Sequence, residues 1–168
     1  MRRLFAALLL ASSAAPAGDL VAQHDTGRSF CGTYLWAGIQ AARTTDMNLY
    51  LNGGFSGGAS YSTSIAPETC ALAYLEGAWV ISSPGLAPLT AGLGIRIGHP
   101  AQLTLQAGYT GVRYTDIGYQ SGFTGGLNVN FLLPSLSGAG IRVAFNYTLV
   151  GESKPNFWAV QSGVSYQF

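Results

Sequence analysis

Charge is what this chain has least of. Asp, Glu, Lys and Arg make up only 9% of its 168 residues, against about 25% in an average soluble domain. Eight Lys+Arg against seven Asp+Glu leave a formal net charge of +1. Two classes of protein are excluded at once. A disordered chain needs high charge and few apolar groups, and a nucleic-acid binder needs a basic excess to neutralise phosphates. Two cysteines and two scattered histidines give no zinc-like ligand spacing, so neither a metal nor a cofactor is expected. Beyond its N-terminus the chain has no apolar run near the ~18 residues of a membrane-spanning helix. What is abundant is glycine, with 23 residues, and aromatic side chains, at 12%. Such a chain has too little charge to cover an ordinary water-facing surface.

The first 22 residues are an address. Arg2 and Arg3 form a basic start, Leu4 to Ala11 is unbroken apolar chain, and small residues run from Ser12 to Ala17. That order is a secretory signal peptide, too short in its apolar part to span a bilayer. Cleavage could follow Ala17, where Ala15-Pro16-Ala17 fits the small-residue rule, or Ala22. The protein is therefore expected to be exported, with residues 23–168 as the mature domain.

Most of that domain has a hydrophobic period of two. Trp158, Val160, Val164, Tyr166 and Phe168 share one face, and Ala159, Gln161, Gly163, Ser165 and Gln167 the other. The same alternation sets Ile141, Val143, Phe145, Tyr147 and Leu149 against Arg142, Ala144, Asn146 and Thr148. It recurs over 126–133, 102–109 and 89–98, and over 70–82, where Leu75, Trp79 and Ile81 oppose Tyr74, Glu76 and Ala78. Successive side chains of a strand point to opposite faces, so each segment reads as a strand. Residues 30–42 and 46–58 are less regular but rich in strand formers. The total is about eight strands of ~10 residues, the length a tilted strand needs to cross a membrane. Turn-forming residues separate them, as at Ser83-Pro84-Gly85 and Gly98-His99-Pro100.

Which face is wet decides the architecture. A soluble barrel or sandwich turns its apolar face inward and carries charge outside. Here the polar face is Gly, Ser, Thr, Asn and Gln with single charges. As an outer surface it would barely be soluble. As the lining of a narrow lumen, with Leu, Val, Ile and aromatics facing lipid, it makes sense. Closure also removes sheet edges that hydrocarbon cannot hydrogen-bond. The expected fold is all-β, an eight-stranded antiparallel transmembrane β-barrel.

With its signal peptide, eight-segment rhythm and ending Val164-Ser165-Tyr166-Gln167-Phe168, the chain resembles the small outer-membrane β-barrels of the OmpA/OmpX/opacity-protein group. The resemblance implies a bacterial outer-membrane location with both termini in the periplasm. It also implies that Phe168 and Tyr166 belong to a signal read by the barrel-assembly machinery. Periplasmic turns would be short and outer loops long. Against that pattern, the longest gap, Ala59 to Thr69, falls at a periplasmic connection, so either strand two runs further, through Tyr61 and Ser62, or the register of the first two strands is wrong.

Glu76, Arg96 and Arg142 are candidates for a site, because their faces put them in the lumen. Unpaired charges in a narrow barrel are costly, and Glu76 and Arg96 lie on consecutive strands, so a charge pair is expected. It would serve either as a structural plug or as a gate. Cys31 and Cys70 permit a disulfide in an exported protein. Strands one and three are not neighbours, however, and both outcomes stand. Trp36, Trp79, Trp158 and Tyr109 suit an interfacial aromatic girdle. His24 falls in the N-terminal tail and His99 in a turn, with no His-x-Ser pairing on any strand, so catalysis is not expected. Gly92-x-Gly94-x-x-x-Gly98 lies within a strand and is no phosphate loop.

The leading expectation is a monomeric structural or interaction protein with a mostly plugged lumen, surrounded by outer-membrane lipid. The alternatives are a narrow channel for small solutes, a soluble periplasmic lipocalin-like barrel binding an apolar ligand, and a lipid A-modifying enzyme.

Overall fold

A computed structural model describes residues 31–45, 52–81, 86–98, 101–114, 118–133, 136, 138–151 and 156–168. The signal peptide, His24 and His99 lie outside these described residues. Eight strands follow in order: β1 (Thr33–Thr44), β2 (Asn52–Ala66), β3 (Thr69–Val80), β4 (Leu86–Ile97), β5 (Ala101–Tyr114), β6 (Gly118–Leu132), β7 (Ala139–Val150) and β8 (Phe157–Gln167). Each pairs antiparallel with its sequence neighbour, and β8 closes onto β1. The result is the expected all-β closed barrel.

The register sets the shape. A walk across hydrogen-bonded neighbours from Tyr34 passes through Ser60, Tyr74, Gly92, Gly108, Thr124, Thr148 and Phe157. It returns to β1 at Thr44, ten residues beyond its start. That displacement over eight strands tilts them by roughly 40° from the barrel axis. At ~3.3 Å per residue, a tilted 12-residue strand advances about 30 Å, the thickness of a bilayer's hydrocarbon core.

Alternation then sorts the side chains. Ile39, Phe55, Trp79, Leu93, Leu105, Phe123, Leu149 and Val164 all project outward and are exposed. Six charged side chains lie among the described residues. Glu76, Arg96 and Arg142 are buried inside, whereas exposed Arg43, Glu68 and Arg113 sit at strand ends or in a turn. The outer wall between those ends is free of charge. This is the inside-out pattern of a lipid-facing barrel.

The first two strands need correction. β1 starts three residues and ends two residues later than the expected 30–42, and β2 begins at Asn52 and continues to Ala66. The long gap after Ala59 thereby disappears. Residues 60–66 pair with β3, with a bulge between Ser64 and Ala66, down to a tight turn at Pro67 and Glu68, where Glu68 takes φ 51°. Ser60 and Ser62 face inward there and Tyr61 and Ile65 outward, a strand pattern weakened by its many hydroxyls. The connections at the terminal end are short, and at the far end none exceeds the seven residues of 45–51.

Leu93 is central on β4 and 70% exposed. A Leu93→Arg substitution is expected to cost about 2–4 kcal/mol of folding stability in lipid vesicles. On a water-facing wall the same change would stay within about 0.5 kcal/mol. Urea titration of folding into vesicles distinguishes the two.

Candidate functional site in the barrel lumen

The lumen is filled with side chains joined across strands. At its centre the Glu76 carboxylate on β3 meets Arg142 on β7, with Nη2 3.2 Å from Oε2. These strands stand on opposite walls of an eight-stranded ring, so the pair spans the interior. Glu76 Oε1 also accepts hydrogen bonds from Asn146 Nδ2 and Gln161 Nε2. Arg142 Nη1 donates to Gln161 Oε1 at 2.7 Å. A buried ion pair repays its desolvation only when the remaining lone pairs and protons are satisfied in this way.

Pairing of a lumen charge is therefore present, but not between the strands where sequence placed it. Arg96 on β4 contacts no carboxylate among the described residues. Its Nε reaches Thr104 Oγ1 at 3.4 Å, its Nη2 reaches Ser60 Oγ at 3.2 Å, and its Cζ lies 4.0 Å from the centroid of the Tyr34 ring. Strand adjacency misled because lateral neighbours Glu76 and Arg96 differ in height. Glu76 pairs with Thr90, whereas Arg96 lies opposite Cys70 near the terminal end.

The aromatic girdle also needs one correction. Trp79 faces outward, and Trp158 stacks on outward Phe145 with ring centroids 6.4 Å apart. Tyr109 packs edge-on against Phe123, and Tyr166 against Phe168. Trp36 is different. It shares the inward face of β1 with Tyr34 and Gln40, and Arg142 Cζ lies 4.7 Å from its ring centroid. The indole fits because Gly58 is opposite: a Cβ there would come within 2.5 Å of Trp36 Cζ2. Gly92 and Gly108 make the same room for Tyr74, whose Cε1 and Oη would lie 2.7 and 2.8 Å from their added Cβ atoms. These glycines are seats for large inward aromatics.

Cys31 and Cys70 form a disulfide, with Cα atoms 5.8 Å apart. The objection that β1 and β3 are not neighbours fails because the bridge runs inside the barrel. Gly32 is bound to Ser62 of the intervening β2 through N–H to Oγ at 3.0 Å. Cys31 thus turns into the lumen and meets Cys70, which is completely buried, behind that strand. In so narrow a barrel, inward side chains two strands apart come within bonding reach.

Sequence reasoning missed two features. Thr90, Thr110, Thr124 and Thr148, from four successive strands, join through their hydroxyls at 2.8, 2.5 and 2.7 Å. Beyond them, the far end of the lumen carries an apolar cluster that includes Val80, Leu86, Val112, Tyr114, Val150 and Phe157. The signal was available. Each lies on the inward parity at a strand's far end, where apolar residues break the small-and-amide pattern of the rest of the lining.

Among the described residues the lumen holds two cavities of about 20 Å³ each, enough for a water or two. The far-side one borders Glu76, Thr90 and Phe157, and the terminal-side one borders Arg96, Trp36 and Arg142. Tyr74 and Gln106 line both, so one layer of side chains separates them.

Removing the carboxylate with Glu76→Ala strands the buried Arg142 guanidinium and is expected to cost about 3–5 kcal/mol. The double variant Glu76→Gln/Arg142→Met should cost less than that single change, as chemical unfolding would show. Replacing both Cys31 and Cys70 by serine is expected to cost on the order of 2–4 kcal/mol. It should also lower the temperature at which the folded band shifts on a gel.

No family model matches the sequence, and neither does any curated protein. Solved structures do match in fold. The N-terminal β-barrel domain of Pseudomonas aeruginosa OprF aligns with a TM-score of 0.58 at 11% identity, covering 82% of this chain and 98% of that one. Neisserial surface protein A aligns at 0.56 with 14% identity, covering 85% of this chain and all of the other. The outer-membrane enzyme PagL aligns at 0.52 with 10% identity, over 82% of this chain and all of its own. With its eight strands, closed antiparallel ladder and charge-free outer wall, the chain has the fold of the small eight-stranded outer-membrane β-barrels.

Proposed function

We propose that this protein is an integral bacterial outer-membrane barrel with a closed lumen, acting as a structural or interaction element of the membrane. The observation that supports the reading is that inward side chains meet across the lumen at three levels. The Cys31–Cys70 bridge sits at the terminal end, the Glu76–Arg142 network in the middle and the apolar cluster around Val112 and Phe157 at the far end. Water does not readily fill a constriction lined by apolar side chains.

The orientation in this reading puts both termini in the periplasm and the apolar cluster at the cell surface. Lipid covers the outer wall. Phe168 and Tyr166, both facing outward on the last strand, are the residues the assembly machinery would read. Export through a cleaved signal peptide belongs to the same reading, supported by Arg2, Arg3 and the apolar run after them. The far-end connections are short, which favours a role exercised in the membrane over one exercised by long surface loops. The proposed role is not catalytic, since no His-x-Ser pairing occurs on any strand, although one similar fold is that of an enzyme.

A narrow channel is the second reading. It is favoured by a single observation, that the two internal cavities share Tyr74 and Gln106 in their walls. Planar-bilayer recording on the protein extracted from outer membranes tests the two. The closed reading expects no conductance steps in the wild type, and loss of heat stability without conductance in Glu76→Ala. Steps in the wild type, or in a still-folded Glu76→Ala barrel, would replace the plug with a gate.

A further inference from the structure

The terminal-side half of the lumen holds more positive charge and more hydrogen-bond donors than its own side chains answer. Among the described residues the interior carries two guanidiniums, Arg96 and Arg142, and one carboxylate, Glu76. That carboxylate is engaged by Arg142, Asn146 and Gln161. Arg96 is left with hydroxyls and the face of Tyr34. A buried guanidinium without a counter-charge is expensive.

The unsatisfied atoms point the same way. Among the described residues, the buried side-chain polar atoms without a partner are Trp36 Nε1, Gln40 Nε2, Tyr74 Oη, Arg96 Nη1 and Gln102 Nε2. All can donate, and the four nitrogens can do nothing else. Three of them belong to Trp36, Tyr74 and Arg96, which line the same cavity of about 20 Å³. No carboxylate among the described residues borders that cavity, and Arg142 lines another side of it. A water there would accept some of these hydrogens, but it would leave Arg96 without a counter-charge. An anion accepts every donor and supplies the missing charge. A cavity of about 20 Å³, room for a water or two, suits a single-atom anion better than sulfate, phosphate or a carboxylate ligand.

We infer that this cavity is a halide site, in which chloride is held by Arg96, the Trp36 indole N–H and the Tyr74 hydroxyl. It rests on the cavity and its donors and not on whether the lumen conducts, so bilayer recording and the test below can fail separately. The halide completes the interior, taking for Arg96 the place that Glu76 takes for Arg142.

The test is a salt titration of the folded, micelle-embedded protein, refolded in each salt and followed by the NMR signals of its indole N–H groups. Sodium chloride or bromide is exchanged for sodium gluconate at constant ionic strength. The Trp36 signal, identified by its absence in Trp36→Phe, is expected to shift saturably with halide and to stay fixed in gluconate. In Arg96→Met the shift should be lost while the heat-modifiable band persists. Should that variant not fold, bromide-soaked crystals of the wild type decide. An anomalous peak between Arg96, Trp36 and Tyr74 supports the site. A cavity holding water alone, with bromide only on the protein surface, overturns it, as does a Trp36 signal indifferent to halide.

Discussion

Hydrocarbon offers no hydrogen bonds, and nearly everything in this structure follows from that. A backbone placed among lipid tails must pair every N–H and C=O within itself. A sheet can do so only by closing, as β8 does on β1 from Tyr34↔Gln167 to Thr44↔Phe157. Closure with eight strands and a displacement of ten residues leaves an interior about as wide as the side chains that point into it. The interior of the barrel is therefore a core with its polarity reversed.

A core of this kind has to satisfy polar groups instead of excluding them. Glu76 receives hydrogen bonds from β7 and β8, and the arrangement ties opposite walls through one carboxylate. Lower in the lumen, Tyr34, Gln102, Asn130 and Ser165 form a second set, with Tyr34 Oη donating to Gln102 Oε1 at 2.6 Å and Ser165 Oγ to Asn130 Oδ1 at 2.6 Å. In a low-dielectric interior such linked bonds reinforce one another, and any member left unpaired is costly. The donors around Arg96 are where this economy is incomplete within the protein alone. The two ends of the lumen differ in chemistry, with a covalent bridge among polar residues at one and apolar packing at the other.

Much of this was legible beforehand. The alternation over 89–98, 102–109, 126–133 and 141–149 assigned nearly every inward and outward side chain correctly, because a two-residue period is a property of the strand itself. Residues 59–66 were harder, since hydroxyl-bearing side chains occupy both faces and hide the period. Trp36 was misplaced by residue type: a tryptophan near a strand end suits an interface, yet its parity sends it inward. The decisive fact was Gly58 on the neighbouring strand, which leaves the space the indole fills.

By itself the sequence determined that the chain forms strands, how many there are, which side chains face lipid and that three charges share the interior. All of these depend on local alternation and on the cost of exposing backbone or charge to hydrocarbon. Only the tertiary structure decided which charges meet. Glu76 and Arg142 are 66 residues apart in the chain, and Cys31 reaches Cys70 behind an intervening strand. Such partnerships depend on the height of each residue along a tilted wall and on what stands across the lumen. Both quantities come from the shear of the closed sheet, which no single strand contains.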